Sequence, residues 1–224
     1  LNSHPVDLNM KITEDAKIRF ITTKDPEAIE ILRHSAAHVM AQAVLRLYPD
    51  AKLTIGPAVE DGFYYDIDME PISKDQFPKI EAEMKKIIKQ KLPITRKEVS
   101  KTEALEFYKD EPYKLEMISE FDDPTISFYE QGEFTDLCRG PHLPNTGFVK
   151  AIKLMKVSGA YWRADQTKAQ LQRIYGAAFF SKKELKEYTT FLEEAKKRNH
   201  RKIGEAMELF SFHDEAPGMP FIHP

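Results

Sequence analysis

The sequence has 224 residues, 42% hydrophobic and 31% charged, with 14 Phe, 9 Tyr and 1 Trp; this suffices for one large or two small packed domains and excludes disorder, collagen and a continuous coiled coil. The single cysteine, Cys138, excludes an internal disulfide, and no run approaches the ~18 apolar residues of a membrane span or has the flanks of a signal peptide, so a reducing, cytoplasmic setting is expected. The net charge of −3 is uneven: residues 138–202 hold 15 Lys or Arg against 5 Asp or Glu, a net of +10 that leaves −13 elsewhere, as for solvated helix faces or a nucleic-acid face.

The opening stretch contains the alternating run Ala16-Lys17-Ile18-Arg19-Phe20-Ile21, which predicts a strand with Ile18 and Phe20 on one face. Residues 1–22 are too short for a domain and start without Met, so they are expected to be the tail of a unit cut upstream. Asp25-Pro26-Glu27 supplies an N-cap, a first-turn proline and an acid against the helix dipole, predicting a helix to about Tyr48. Its apolar stripe is Leu32, Ala36, Val39, Ala43 and Leu47; at about 100° per residue, His34, Ser35, His38 and Gln42 form a second stripe at the edge of the core.

Residues 52–68 read as two extended pieces around a Gly56-Pro57 turn, the second being Gly62-Phe63-Tyr64-Tyr65-Asp66. Ser73 with Gln76, and Ile72 with Phe77, predict a capping box and staple for a helix that carries Ile80, Met84 and Ile87 and starts near Asp75. After a strand at 94–99, Ser100 and Glu103 open a shorter helix in the same way. Residues 125–178 are mostly extended and predict an antiparallel sheet: 126–129, a turn at Gly132, 134–138, 152–157 and 160–163. Ser181 and Glu184 cap a last helix in which 12 of the residues 182–202 are charged, too many for burial, so it is expected to be a spacer or docking arm. Beyond it, 209–224 form no closed unit and read as the start of a further domain. The fold class is α+β, a mostly antiparallel sheet packed with helices and followed by a long charged linker helix.

Four of the chain's 7 His and 1 Cys fall into His34-x-x-x-His38 and Cys138-x-x-x-His142. As plain structure these would be core-edge histidines and a small buried thiol. As chemistry, the quartet suits tetrahedral zinc, two ligands from one helical face and two from a turn, or it positions and deprotonates a water. Spacing leaves both open. Asp136, on the same strand face as Cys138, could orient a histidine or a substrate amine.

At these residues the chain resembles a known family. His34-Ser35-Ala36-Ala37-His38, Gly62-Phe63-Tyr64-Tyr65-Asp66, Asp136-Leu137-Cys138-Arg139-Gly140-Pro141-His142, Gly159-Ala160-Tyr161-Trp162-Arg163 and Leu171-Gln172-Arg173-Ile174-Tyr175-Gly176 together resemble the editing domain of bacterial-type threonyl-tRNA synthetases. The two short motifs are shared with alanyl-type editing domains; the flanking segments favour the threonyl type. The resemblance implies a remnant of a small β-grasp domain at 1–22, the editing domain at 23–180, a linker helix at 181–208 and the start of a class II aminoacylation domain at 209–224. It implies hydrolysis of serine wrongly attached to threonine tRNA, within a cytoplasmic ligase that dimerises through its absent catalytic domain, with no membrane partner.

The family's editing residues map onto His34, His38, Lys114, Asp136, Cys138 and His142, and Gly56 and Tyr65 match positions lining the amino-acid and adenosine end. In that scheme His34 or Cys138 polarises the water, Lys114 stabilises negative charge or shuttles a proton, and Asp136 binds the ammonium of serine. The threonyl resemblance implies no cofactor; zinc at His34, His38, Cys138 and His142 remains the alternative, in an alanyl-type editing module or in a non-catalytic RNA-binding module with a structural metal. For tRNA, Arg139, Lys150, Lys153, Lys156, Lys196, Lys197 and Arg198 are the candidate phosphate contacts. The need for such a site is physical: one missing methyl is worth about 1–3 kcal/mol in a binding pocket, too little for accurate translation without a second sieve.

Overall fold

In the computed structural model, which describes residues 1–2 and 4–223, the Asp25-Pro26 signal opens helix α1 (Pro26–Leu47). Ser3 of the 1–22 stretch and Pro224 of the terminal stretch lie outside the described residues. Asp25 does not cap by its side chain; its carboxylate turns back to accept from the backbone N–H and hydroxyl of Thr22 and from Arg19.

Three strands follow: β1 (Lys52–Leu53), β2 (Ala58–Val59) and β3 (Gly62–Asp68). The Ser73–Gln76 capping box forms and leads through a 3-10 turn into α2 (Phe77–Gln90), which buries Ile80, Met84 and Ile87. Next come β4 (Ile94–Ser100), α3 (Lys101–Phe107) with its Ser100–Glu103 box, and α4 (Pro112–Ser119), which the sequence reading did not predict. The extended region resolves into β5 (Thr125–Gln131), β6 (Phe134–Leu137), β7 (Ala151–Tyr161) and β8 (Gln170–Phe179).

All pairings are antiparallel, in an α+β arrangement. One sheet has the order β1-β3-β8-β7 with β2 also on β3; a second has the order β4-β5-β6. Gly132, at φ +63°, makes the tight β5–β6 turn, a conformation glycine adopts without strain. In β7 the register slips between Leu154 and Lys156, so that Met155 is a bulge. Lys153 and Lys156 therefore pair with Ala177 and Tyr175, two apart on β8, and leave the sheet on the same exposed side.

The main core joins Leu32, Ala36, Val39, Met40 and Ala43 of α1 to α2 and to Phe63, Tyr65, Ile67, Leu154 and Ile174 of the larger sheet. The second stripe of α1 is buried at Ser35, His38 and Gln42 and half-buried at His34. Gln42 meets the β5–β6 turn, donating to the Gln131 carbonyl at 3.2 Å and to Glu133 at 2.8 Å. So α1 has an apolar side on one sheet and a polar side on the other, and the histidines lie along the seam.

Three expectations are corrected. The 16–21 run is not a strand: among the described residues it has no ladder partner, and Ile18 and Phe20 are exposed. Alternation alone supplies no partner for the backbone. The last helix does not continue to Lys202. It is α5 (Lys182–Lys197), followed by α6 (His200–Ala206), because Asn199 accepts from the N–H groups of Arg201 and Lys202 and starts a new helix. Residues 210–222 form a hairpin, β9 (Phe210–Phe212) on β10 (Pro220–Ile222). The chain divides into a unit of Leu1–Leu185 and a second from Lys186 onward. No helix among the described residues is long and apolar enough to cross a membrane.

Candidate functional site

Consecutive turns of α1 place His34 and His38 side by side, their rings edge to face with centroids 5.3 Å apart. The segment leaving β6 carries Cys138 and His142 against them: Cys138 Sγ is 3.2 Å from His34 Nε2 and 3.2 Å from His142 Nε2. The His142 ring lies 4.2 Å from the rings of both His34 and His38. One ligand-type atom from each of the four falls within 4.8 Å of the others, so the quartet could hold a metal ion. The donor set suits zinc, although tetrahedral zinc brings its ligand atoms to roughly 3.3–3.7 Å from one another, so the quartet would contract around it.

Second contacts fix the protons. The Ser35 hydroxyl donates to the Ile31 carbonyl at 2.9 Å and lies 3.0 Å from His142 Nδ1, while Leu143 N–H donates to it at 3.0 Å. With its own proton spent on Ile31, Ser35 accepts from Nδ1–H, which leaves His142 Nε2 as an acceptor toward Cys138. Burial holds His34 below its ordinary pKa. Burial, then the neighbouring imidazoles and, for His38, Lys114, holds His38 and His142 well below theirs. Burial also pushes the Cys138 thiol up to about 12, although Gly140 N–H donates to its sulfur. At neutral pH, in the absence of a metal, the quartet is three neutral imidazoles and a thiol.

Beside it lies a buried charged pair. Lys114, on α4, donates from Nζ to Asp136 Oδ1 at 2.5 Å, to the Thr54 carbonyl at 2.8 Å and to Tyr65 OH at 3.4 Å. Tyr65 OH donates to Asp136 Oδ2 at 2.5 Å, and His38 Nε2 is 3.6 Å from that oxygen. Both carboxylate oxygens of Asp136 are thus engaged within the protein, in contact with a histidine as well as with the lysine. Gly56 packs flat on the Tyr65 ring, where a Cβ has no room.

His34, His38, Cys138, Lys114, Asp136, Tyr65 and Gly56 line one cavity of about 780 Å³. Its floor is buried; its rim carries the exposed Arg96, Glu98, Asp123 and Arg139. His142 is not part of the lining and supports the wall from behind.

The candidate phosphate contacts are divided between the two units. Arg139 is on this rim, with its guanidinium over Phe121. Lys153 and Lys156 stand on the outer face of β7, Lys156 with its ammonium 4.1 Å from the Tyr175 ring centre. Lys150 donates to the Gly147 carbonyl at 2.6 Å. Lys196, Lys197 and Arg198 belong to the second unit, Lys197 pairing with Glu194 at 2.8 Å. Ser35, Thr54, Tyr129 and Asp7 hold the site and were assigned no role from sequence; only Ser35, on the polar stripe beside the histidines, carried a local signal.

Residues 126–175 match the family described as the threonyl and alanyl tRNA synthetase second additional domain. Over that stretch the chain is similar to this domain. Along nearly its whole length it is also similar to threonine--tRNA ligases. It is 69% identical over 217 residues to that of Desulfatibacillum aliphaticivorans, 97% of this chain and 34% of the relative. It is 53% identical over 229 residues to that of Thermotoga maritima, 100% of this chain and 36% of the relative. It is 50% identical over 223 residues to that of Clostridium kluyveri, 98% of this chain and 35% of the relative. The chain therefore spans about a third of the length of these relatives. The matched region of the second additional domain begins in β5 and ends in β8, so it includes Asp136, Cys138 and His142 but leaves His34, His38, Tyr65 and Lys114 to the preceding segments.

Proposed function

We propose that this chain is the proofreading part of a threonyl-tRNA synthetase and hydrolyses the ester of seryl-tRNA for threonine. One observation carries the reading: the histidine–cysteine group and the Lys114–Asp136–Tyr65 cluster wall a single cavity of about 780 Å³, within the range of small-molecule sites and roomy enough for an acyl-adenosine. The threonine--tRNA ligase names of the relatives supply the substrate class.

Hydrolysis needs a water oriented at the ester carbonyl, a group to take its proton, and charge near the developing oxyanion. His34, neutral and on the cavity wall, takes the proton as the water oxygen bonds to the carbonyl carbon. Cys138 stays a thiol, so it orients the water and does not attack. Lys114 stabilises the oxyanion; its 3.4 Å bond to Tyr65 is the one that the new oxygen replaces. Collapse of the intermediate breaks the bond to the ribose oxygen, and the proton held by His34 passes to that oxygen. Asp136 holds Lys114, and its Oδ2 lies 3.6 Å from His38 Nε2.

The methyl of threonine would overpack the pocket at a cost of about 1–3 kcal/mol, which acts in the opposite sense to the first selection. Seryl-tRNA and threonyl-tRNA for threonine are incubated separately with the chain and with the His34→Ala/Cys138→Ala variant. Preferential loss of serine is expected. Equal loss of both above the variant, or loss of neither at saturating protein, rejects the assignment.

The proximity of the four ligand-type atoms favours a second reading, in which the quartet binds zinc, as in an alanyl-type editing module or a structural metal site. Elemental analysis of dialysed protein separates the two, and one tightly held zinc per chain would reject the metal-free mechanism. His38→Ala is expected to lower hydrolysis by about 10² to 10⁴ while the chain stays folded; loss of folding would favour a structural metal.

A further inference from the structure

We propose that Asp7 is a positioning residue for this cavity and that the N-terminal segment is thereby part of the site's support. Among the described residues of 2–15, Asp7 is the one that is not exposed. Its Oδ1 accepts the backbone N–H of His142 at 2.9 Å, and its Oδ2 accepts the hydroxyl of Tyr129 at 2.6 Å. The Tyr129 ring is 4.5 Å from the His142 ring, and its hydroxyl lies against Gly140, where no Cβ fits.

The turn from Cys138 to His142 is therefore held from two sides. Ser35 of α1 fixes the His142 ring and the Leu143 N–H. Asp7 fixes the His142 backbone and, through Tyr129, the face of the same ring. Gly140 N–H in turn reaches Cys138 Sγ at 3.2 Å, so a shift of this turn carries both the thiol and the imidazole. Removing the carboxylate leaves a backbone N–H and a phenol without their acceptor, and the turn relaxes toward other partners. A displacement of about 1 Å at positioned catalytic groups costs up to roughly 10² in rate. Asp7 touches none of the cavity itself.

This rests on the deacylation reading for its kinetic arm only, because Cys138 is the sole thiol and reports independently. The full chain is compared with Asp7→Ala, Asp7→Asn and Glu14→Ala, the last removing an equal charge from the same exposed stretch. Alkylation of Cys138 by iodoacetamide under native conditions, kcat and KM for seryl-tRNA, and the urea midpoint are measured. Asp7→Ala is expected to raise the alkylation rate about tenfold and lower kcat about 10- to 100-fold, with KM changed less than about twofold. Asp7→Asn, which keeps one carbonyl acceptor, falls between it and the parent and serves if Asp7→Ala does not fold. Glu14→Ala matches the parent.

Alkylation in Asp7→Ala and Asp7→Asn equal to that of Glu14→Ala overturns the proposal, as does a raised KM with kcat unchanged. A gain in alkylation that simply follows the fall in urea midpoint overturns it too, since that is global opening. If the parent does not deacylate, the functional reading falls while alkylation still decides the role of Asp7.

Discussion

Lys114 Nζ lies 2.5 Å from Asp136 Oδ1, and each side chain keeps only 3% of its surface exposed. Two charges taken out of water this completely depend on each other and on the surrounding dipoles of Thr54 and Tyr65.

Removing one partner should therefore cost more than removing both. Lys114→Met strands the Asp136 carboxylate, and a loss of about 3–5 kcal/mol is expected by urea unfolding. The double change Lys114→Met/Asp136→Leu should recover much of that loss while leaving hydrolysis abolished. A single variant as stable as the parent would show that the pair is not a buried ion pair in solution.

Stability should fall on the acid side of neutrality. Folding keeps His38 and His142 well below their ordinary 6.5, chiefly by burial, so the unfolded chain binds more protons as the pH drops through that value. Their contribution is therefore complete above about pH 7 and declines from about pH 6.5 downward, by up to about 1.4 kcal/mol per pH unit for each histidine. His38→Gln should flatten the decline between pH 6.5 and about 5; an unchanged slope would remove His38 from the effect.

Gly56→Ala tests the floor of the cavity. A methyl there meets the Tyr65 ring, which is tied to Asp136 and cannot swing away freely, so a loss of about 1–3 kcal/mol is expected together with slower hydrolysis. At Gly159 the crowding atom is the far end of Gln170, and Gly159→Ala should be nearly silent by comparison. Equal melting temperatures for the two variants would contradict the packing.

Binding of tRNA should weaken steeply with salt. Lys153 and Lys156 rise from the same side of β7, and neutralising each should lower the slope of log affinity against log salt by about 1. Lys150 and Lys197, with a carbonyl and a carboxylate already on their ammonium groups, should contribute less. A slope near zero for the parent would take the basic segment out of the interface.

What the sequence disclosed was local. The capping boxes at Ser73 and Ser100 sit within four residues of the helices they start, and both helices form as read. The polar stripe of α1 followed from about 100° per residue. What it faces did not, because Gln42 meets Gln131 across 89 residues and His142 meets Ser35 across 107. The 16–21 alternation misled for the same reason, since a strand is defined by a partner elsewhere in the chain. Asp7 had no local mark at all: its two bonds span 135 and 122 residues.

The bulge at Met155 gives β7 a position where its length can change. Removing that residue leaves Lys156 opposite Tyr175 and Leu154 opposite Gly176, with every other side chain facing as it does now. A deletion elsewhere in the strand, with the bulge kept, turns its residues on one side of the cut over by one pleat. Length variation that keeps β7 in order is thus confined to one site, and two lysines that are three apart in sequence still act as near neighbours on one face.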